Sequence, residues 1–141
     1  MKILIISLVS FFISLSTFSK EVVVEMLNKR EDGQKMVFSE DVVKVDLGDT
    51  IKWLASDKGH NVEFIAGPDG FTLPPKSGLN KDVSITFDKA GVYLYVCTPH
   101  KVMGMIGLVV VGNDTSNKDA IASMKMMGRS KKKLASMIGS L

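Results

Sequence analysis

The chain of 141 residues has one cysteine, two histidines and one tryptophan, and no strong excess of either charge. A single cysteine excludes an internal disulfide. Its 18 basic residues against 15 acidic ones give a net charge of +3, too even a balance to suggest nucleic acid as a partner. The only basic run, Lys131-Lys132-Lys133, has no interleaved aromatic residues. It reads as a solvated helix face rather than a membrane or nucleic-acid patch. No unbroken apolar run reaches the length of a membrane-spanning helix. No long helical period occurs before residue 113, which argues against a helical fold. Three of the four prolines lie between Gly67 and Gly78 and mark that stretch as a loop.

The start of the chain reads apart from the fold. Met1-Lys2 is a positive n-region, and Ile3 to Leu15 is apolar apart from serines. Thr17 and Ser19 are small residues placed for a cut before Lys20. The pattern predicts a secretory signal peptide over 1–19, and hence a periplasmic protein. One domain follows over 20–141, with a helical tail over 116–141. An exported chain with a single free thiol needs a reason for it, and metal ligation is such a reason.

What remains is a series of short strands. Glu21 to Leu27, Met36 to Phe38, Val42 to Val45, Thr50 to Ala55, Asn61 to Ile65, Val83 to Phe87, Val92 to Val96 and Ile106 to Val111 all read as extended. Asn28 to Gln34, Gly48-Asp49 and Asp88 to Gly91 read as loops or turns. Ile51, Trp53 and Ala55 share one face by the two-residue period, and Val83, Ile85 and Phe87 point inward. Many short strands separated by turns predict an all-β sandwich of about eight strands. After residue 113 the period changes. Ser116 with Asp119 resembles a capping box, Ile121, Met124 and Met127 recur at threes, and Gly128 ends a first helix. Ser130 is placed to cap a second, whose Leu134, Met137, Ile138 and Leu141 form one apolar stripe. Lys131 to Lys133 oppose the dipole of that helix at its first turn, which predicts fraying there. The tail methionines read as core packing rather than metal ligands.

The chemistry concentrates in Cys97-Thr98-Pro99-His100-Lys101-Val102-Met103-Gly104-Met105, between two predicted strands. Pro99 stiffens the connection. The other histidine, His60, stands far upstream in Gly59-His60-Asn61. Two imidazoles and a thiolate with a weak axial thioether are the ligands of a blue-copper electron-transfer centre. A buried, inert thiol is the plainer alternative. A Cys97 nucleophile with His100 as base, or a copper store, are others, although no third group to orient such a base is visible. Met103 and Met105 share strand parity, so alternation does not separate them. Met105 stands nearer the strand that ends in Val109-Val110-Val111 and is favoured.

The segments Gly48-Asp49-Thr50, Asp57-Lys58-Gly59-His60-Asn61-Val62-Glu63, Gly91-Val92-Tyr93, Cys97-Thr98-Pro99-His100 and Met103-Gly104-Met105 resemble the pseudoazurins, small periplasmic cupredoxins. The similarity runs from about Val22 to Gly112 and extends to the tail. Between Ala66 and Asn80 the wording departs from the family, at Phe71-Thr72-Leu73-Pro74-Pro75. The resemblance implies a Greek-key cupredoxin sandwich with two short C-terminal helices. It implies one copper ion on His60, Cys97, His100 and Met105, and the His-x4-Met spacing selects Met105 over Met103. It further implies that Asn61 ties the two ligand-bearing loops together and that His100 presents its ring edge at the surface. The expected protein is a monomeric one-electron carrier. Its expected partners are a copper nitrite reductase and c-type cytochromes, which dock around His100 on a rim carrying Lys58, Lys76 and Lys101.

Overall fold

The computed structural model describes residues 19–141. The signal-peptide reading over 1–19 therefore falls, apart from Ser19, outside the described residues. Eight strands are present: β1 (Glu21–Lys29), β2 (Lys35–Phe38), β3 (Val42–Val45), β4 (Thr50–Leu54), β5 (Glu63–Ala66), β6 (Val83–Thr86), β7 (Gly91–Val96) and β8 (Ile106–Val111). They form two four-stranded sheets, in the orders β2-β1-β4-β6 and β3-β8-β7-β5. Each sheet contains one parallel pair, β1 with β4 and β3 with β8. Two helices follow, α1 (Lys118–Ala122) and α2 (Arg129–Gly139). Among the described residues no helix is long and apolar enough to cross a membrane.

The facing sheets close over one core cluster that includes Phe38, Trp53, Phe64, Phe87, Tyr93, Tyr95, Cys97 and Met105. Trp53 meets Tyr95 edge-on at 5.2 Å and Phe64 at 5.6 Å, the arrangement that aromatic quadrupoles favour. A second cluster lies on the outer face of β7 and β8. There Val92, Leu94, Val96, Ile106, Leu108 and Val110 are covered by Ile121, Leu134 and Met137 of the tail. Strands β7 and β8 are thus buried on both faces along their whole length. That is why they read as continuous apolar runs, while β4 alternates. On β7 the two-residue period sends Val92, Leu94 and Val96 toward the helices and Tyr93 and Tyr95 into the sandwich. Continued by one step, it carries Cys97 inward as well.

The eight strands and two helices match the expected architecture, with differences at their ends. Strand β1 continues through Asn28 and Lys29, which had read as a loop, because Lys29 still pairs with Lys35. The connection from Cys97 to Met105 contains a 3₁₀ helix over Thr98–Met103, with Pro99 in its first turn. A missing N–H goes unnoticed there. Helix α1 ends at Ala122, far short of Gly128, and Ser116 does not cap it. The preceding Asn117 makes no cap bond either, because its side chain is engaged by the sheet. It accepts from the Val92 N–H and donates to the Val92 carbonyl, both at 2.8 Å. Met126 therefore packs in place of Met127, which is 73% exposed.

Ser130 lies inside α2 rather than at its cap, which is Gly128. Its hydroxyl donates to the Lys101 carbonyl. Gly128 has φ +59, and a Cβ on it would clash with the Val102 carbonyl oxygen; only glycine lets the chain approach so closely. The first turn of α2 is accordingly pinned, not frayed. Lys133 adds an ion pair to Asp41 at 2.6 Å, and Arg30 reaches the same carboxylate at 3.0 Å. Burial pushes Asp41 up, but these two cations outweigh it and hold its pKa below the ordinary value.

Candidate metal centre

Four elements position the donor atoms. His60 precedes β5 and is wholly buried. Its carbonyl accepts from the Asn80 N–H at 2.9 Å, and the Gly59 N–H donates to Asn80 Oδ1 at 2.6 Å. Gly59 has φ +94, in the left-handed region that glycine tolerates. Cys97 follows β7 and points into the core. His100 sits on the 3₁₀ helix, half-exposed, with its N–H donating to the Cys97 carbonyl at 3.0 Å. Met105 precedes β8 and is tied to the cysteine by a bond from the Cys97 N–H to the Met105 carbonyl at 2.9 Å.

The donor atoms converge. His60 Nδ1 lies 3.1 Å from His100 Nδ1, and Cys97 Sγ lies 3.7 and 3.5 Å from those two nitrogens. Bonds of about 2.0 Å to nitrogen and 2.3 Å to sulfur, as at zinc, would space a trigonal set by ~3.5–3.7 Å. All three observed separations lie within ~0.5 Å of that spacing, so the residues fit a single metal ion. The set is soft, with one thiolate source and two imidazoles, the mix that suits copper. Cys97 and Met105 belong to the same buried cluster, and Met105 is 0% exposed. Met103 is 40% exposed. The strand parity that leaves the two methionines equivalent fails because the chain is helical up to Met103 and then turns at Gly104, φ +102.

Electrostatics favour the neutral forms of Cys97 and His60 in the metal-free protein. Burial pushes the Cys97 thiol up, and the backbone N–H groups of Asn61 and His100 pull it only part of the way back. Burial, reinforced by the His100 charge, pushes His60 down against the weaker pull of Asp57. Binding a cation here releases the thiol proton.

The structure gathers His60, Cys97 and His100, buries Met105 in the same cluster as the cysteine, and places Asn61 and Pro99 beside them. Asn61 bridges the loops as expected: its Oδ1 accepts from the Thr98 N–H at 2.8 Å, and its Nδ2 donates to Thr98 Oγ1 at 3.0 Å. Pro99 is exposed in the first turn of the 3₁₀ helix. Lys58, Lys76 and Lys101 are exposed. A Cβ on Gly59 would stand 4.0 Å from His100 Cε1, so the Lys58–Gly59 turn lies beside that ring. The loop over 67–80 returns to the site through Ser77, whose N–H donates to the Val62 carbonyl and whose Oγ accepts from the Val62 N–H.

Asn28 was missed. Its Oδ1 lies 2.9 Å from His60 Nε2. As an acceptor it places the ring proton on Nε2 and leaves the Nδ1 lone pair facing the other donors. The apolar pattern of β1 stops at Leu27, whereas the strand pairs on to Lys29 and so carries Asn28 to the site.

Sandwich and donor set together define a small single-copper protein. The family model of copper-binding proteins, plastocyanin/azurin family, matches residues 24–112. Pseudoazurin of Methylorubrum extorquens is 42% identical over 123 residues, 86% of this chain and 82% of that one. Pseudoazurin of Paracoccus pantotrophus is 41% identical over 113 residues, 79% and 77% of the two chains. The crystal structure of native pseudoazurin from Hyphomicrobium denitrificans matches with a TM-score of 0.80 at 41% identity, covering 86% of this chain and 98% of that one. The chain belongs to the pseudoazurins. It is an electron-transfer protein with one copper ion as cofactor, and not an enzyme.

Proposed function

We propose that His60, Cys97, His100 and Met105 hold the copper, and that the protein carries single electrons between redox proteins of the periplasm. One observation carries this reading: Sγ and two Nδ1 atoms meet in a pocket whose neighbouring buried thioether is Met105. When bound, copper supplies a one-electron Cu(I)/Cu(II) couple. The chain's own residues do the rest. Cys97 gives up its proton and supplies the strong sulfur donor. Met105 supplies the weak axial one. Asn28 holds His60 in the ligating tautomer, and Asn61 and Pro99 hold the loop of Cys97 and His100 against the His60 loop. Donors fixed in this way change little between oxidation states, and all of them come from protein, so no position is left for a substrate.

Electrons enter and leave at His100, the half-exposed ligand. Lys58, Lys76 and Lys101 form a cationic rim that steers an acidic partner toward that edge. A copper nitrite reductase and c-type cytochromes are the partners this reading selects. The segment over 1–19 directs export and is removed before Lys20, and the mature domain over 20–141 works as a monomer. Adding one equivalent of Cu(II) to the reduced, metal-free protein tests the centre. An intense visible thiolate-to-copper band that saturates at one copper per chain is expected. A saturated protein without that band overturns the ligand assignment.

A further inference from the structure

Glu63 opens β5, three residues beyond His60, and its carboxylate is part of the loop bridge. Thr98 Oγ1 donates to Glu63 Oε2 at 2.7 Å. The hydroxyl has one proton, and that bond uses it. Toward Asn61 the same oxygen can then only accept, which it does from Asn61 Nδ2 at 3.0 Å. The orientation of the Asn61 amide follows: Nδ2 toward the hydroxyl, Oδ1 toward the Thr98 N–H. Asn61 adjoins His60, and its backbone N–H pulls the pKa of the Cys97 thiol down. An ionised carboxylate accepts and never donates, so it sets the direction of every bond in the chain.

We propose that Glu63 is a positioning residue for the copper centre, acting through Thr98 and Asn61 on the loop junction and the cysteine sulfur, and that its negative charge lowers the reduction potential. This rests on the copper reading above. Glu63 shares a surface groove with Lys101, Val102, Lys125 and Met126, so two lysines line the same groove as the carboxylate. The bonds through Thr98 give the charge a route to the site that those surface cations lack. Charge-assisted bonds are about twice as strong as neutral ones, and a directional chain of them polarises cooperatively.

Three variants separate the contributions. Glu63→Gln keeps an acceptor but loses the charge and the fixed direction. Thr98→Val cuts the chain and leaves the charge, and Thr98→Ser restores the hydroxyl. The expected result for Glu63→Gln is a retained blue band with a higher reduction potential. For Thr98→Val we expect several-fold faster copper loss to a chelator, which Thr98→Ser returns to the parent rate. In metal-free protein, the Asn61 side-chain NH2 resonances should exchange faster in Thr98→Val than in the parent. A parent potential in Glu63→Gln, together with parent copper loss and parent NH2 exchange in Thr98→Val, overturns the proposal. A missing blue band in the parent overturns the copper reading instead, and the metal-free NH2 exchange still reports on the bonded chain.

Discussion

The two histidines reach the same point from opposite kinds of structure. His60 is wholly buried, and its backbone carbonyl and Nε2 are both engaged by the surrounding fold. His100 rides on a short 3₁₀ helix, half-exposed, beside the Lys58–Gly59 turn. The first belongs to a wall that exists only when both sheets are folded. The second belongs to a loop held between β7, β8 and the first turn of α2. A carrier needs both. A rigid wall keeps the donors in place through a change of charge, and an accessible edge lets an electron cross to a partner without opening the site.

Removing the donor common to both sides has the largest effect. Cys97→Ser should abolish the blue band and electron transfer while the sandwich survives, because a buried hydroxyl left unpaired costs only about 1–3 kcal/mol. Circular dichroism beside the visible spectrum checks both halves of that statement. A direct break of the comparison comes next. His100→Gly should open a hole to solvent that added imidazole fills, restoring the band. His60→Gly should leave a hole closed off by the fold, which imidazole does not reach. Equal rescue of the two variants would remove the distinction between wall and loop.

Within the loop side, Met105→Leu should raise the reduction potential by enough to move the equilibrium with a fixed partner about tenfold, roughly 1.4 kcal/mol. Met103→Leu, at an exposed position, should leave it unchanged. Voltammetry of both variants decides between them. On the wall side, the depressed pKa of His60 makes a pH prediction for the metal-free protein. The unfolded chain takes up the proton first, so stability is full above the ordinary histidine value of ~6.5 and falls as pH drops toward the folded value. Urea midpoints across that window, compared with those of His60→Asn, measure the loss; a parent curve as flat as that of the variant would remove it.

The smallest effect is at the rim. Lys58→Glu and Lys101→Glu together reverse two exposed charges near His100. Transfer to an acidic partner at low salt should slow roughly tenfold, with spectrum and potential unchanged. The difference should shrink as salt shortens the screening length to ~10 Å at 0.1 M. Stopped-flow rates at two ionic strengths read it directly, and equal low-salt rates for variant and parent would remove these lysines from docking.

The sequence by itself determined the strand count and the two tail helices, and it pointed to the candidate donors. Alternation, turn residues and a single cysteine flanked by two apolar runs are local signals, and they survive without three-dimensional context. It also recorded that Val92–Val96 and Ile106–Val111 are apolar throughout, although only the fold explains it: one face meets the opposite sheet and the other meets α1 and α2. The tertiary structure alone decided what depends on two distant segments meeting. Asn28 reaches His60 because β1 runs two residues past its apolar pattern. Asn117 is drawn to Val92, and α1 stays short. Ser130 serves the Lys101 carbonyl instead of a helix end. The sequence favoured Met105 over Met103 by its distance to the last strand and by the His-x4-Met spacing, but the physical reason is tertiary. The strand period treats them alike, and they differ because the chain between Cys97 and Gly104 coils instead of extending, which turns one thioether to solvent and buries the other beside the cysteine. Side-chain hydrogen bonds to backbone groups far away in sequence leave no period behind them, so they become legible only when the chain has folded.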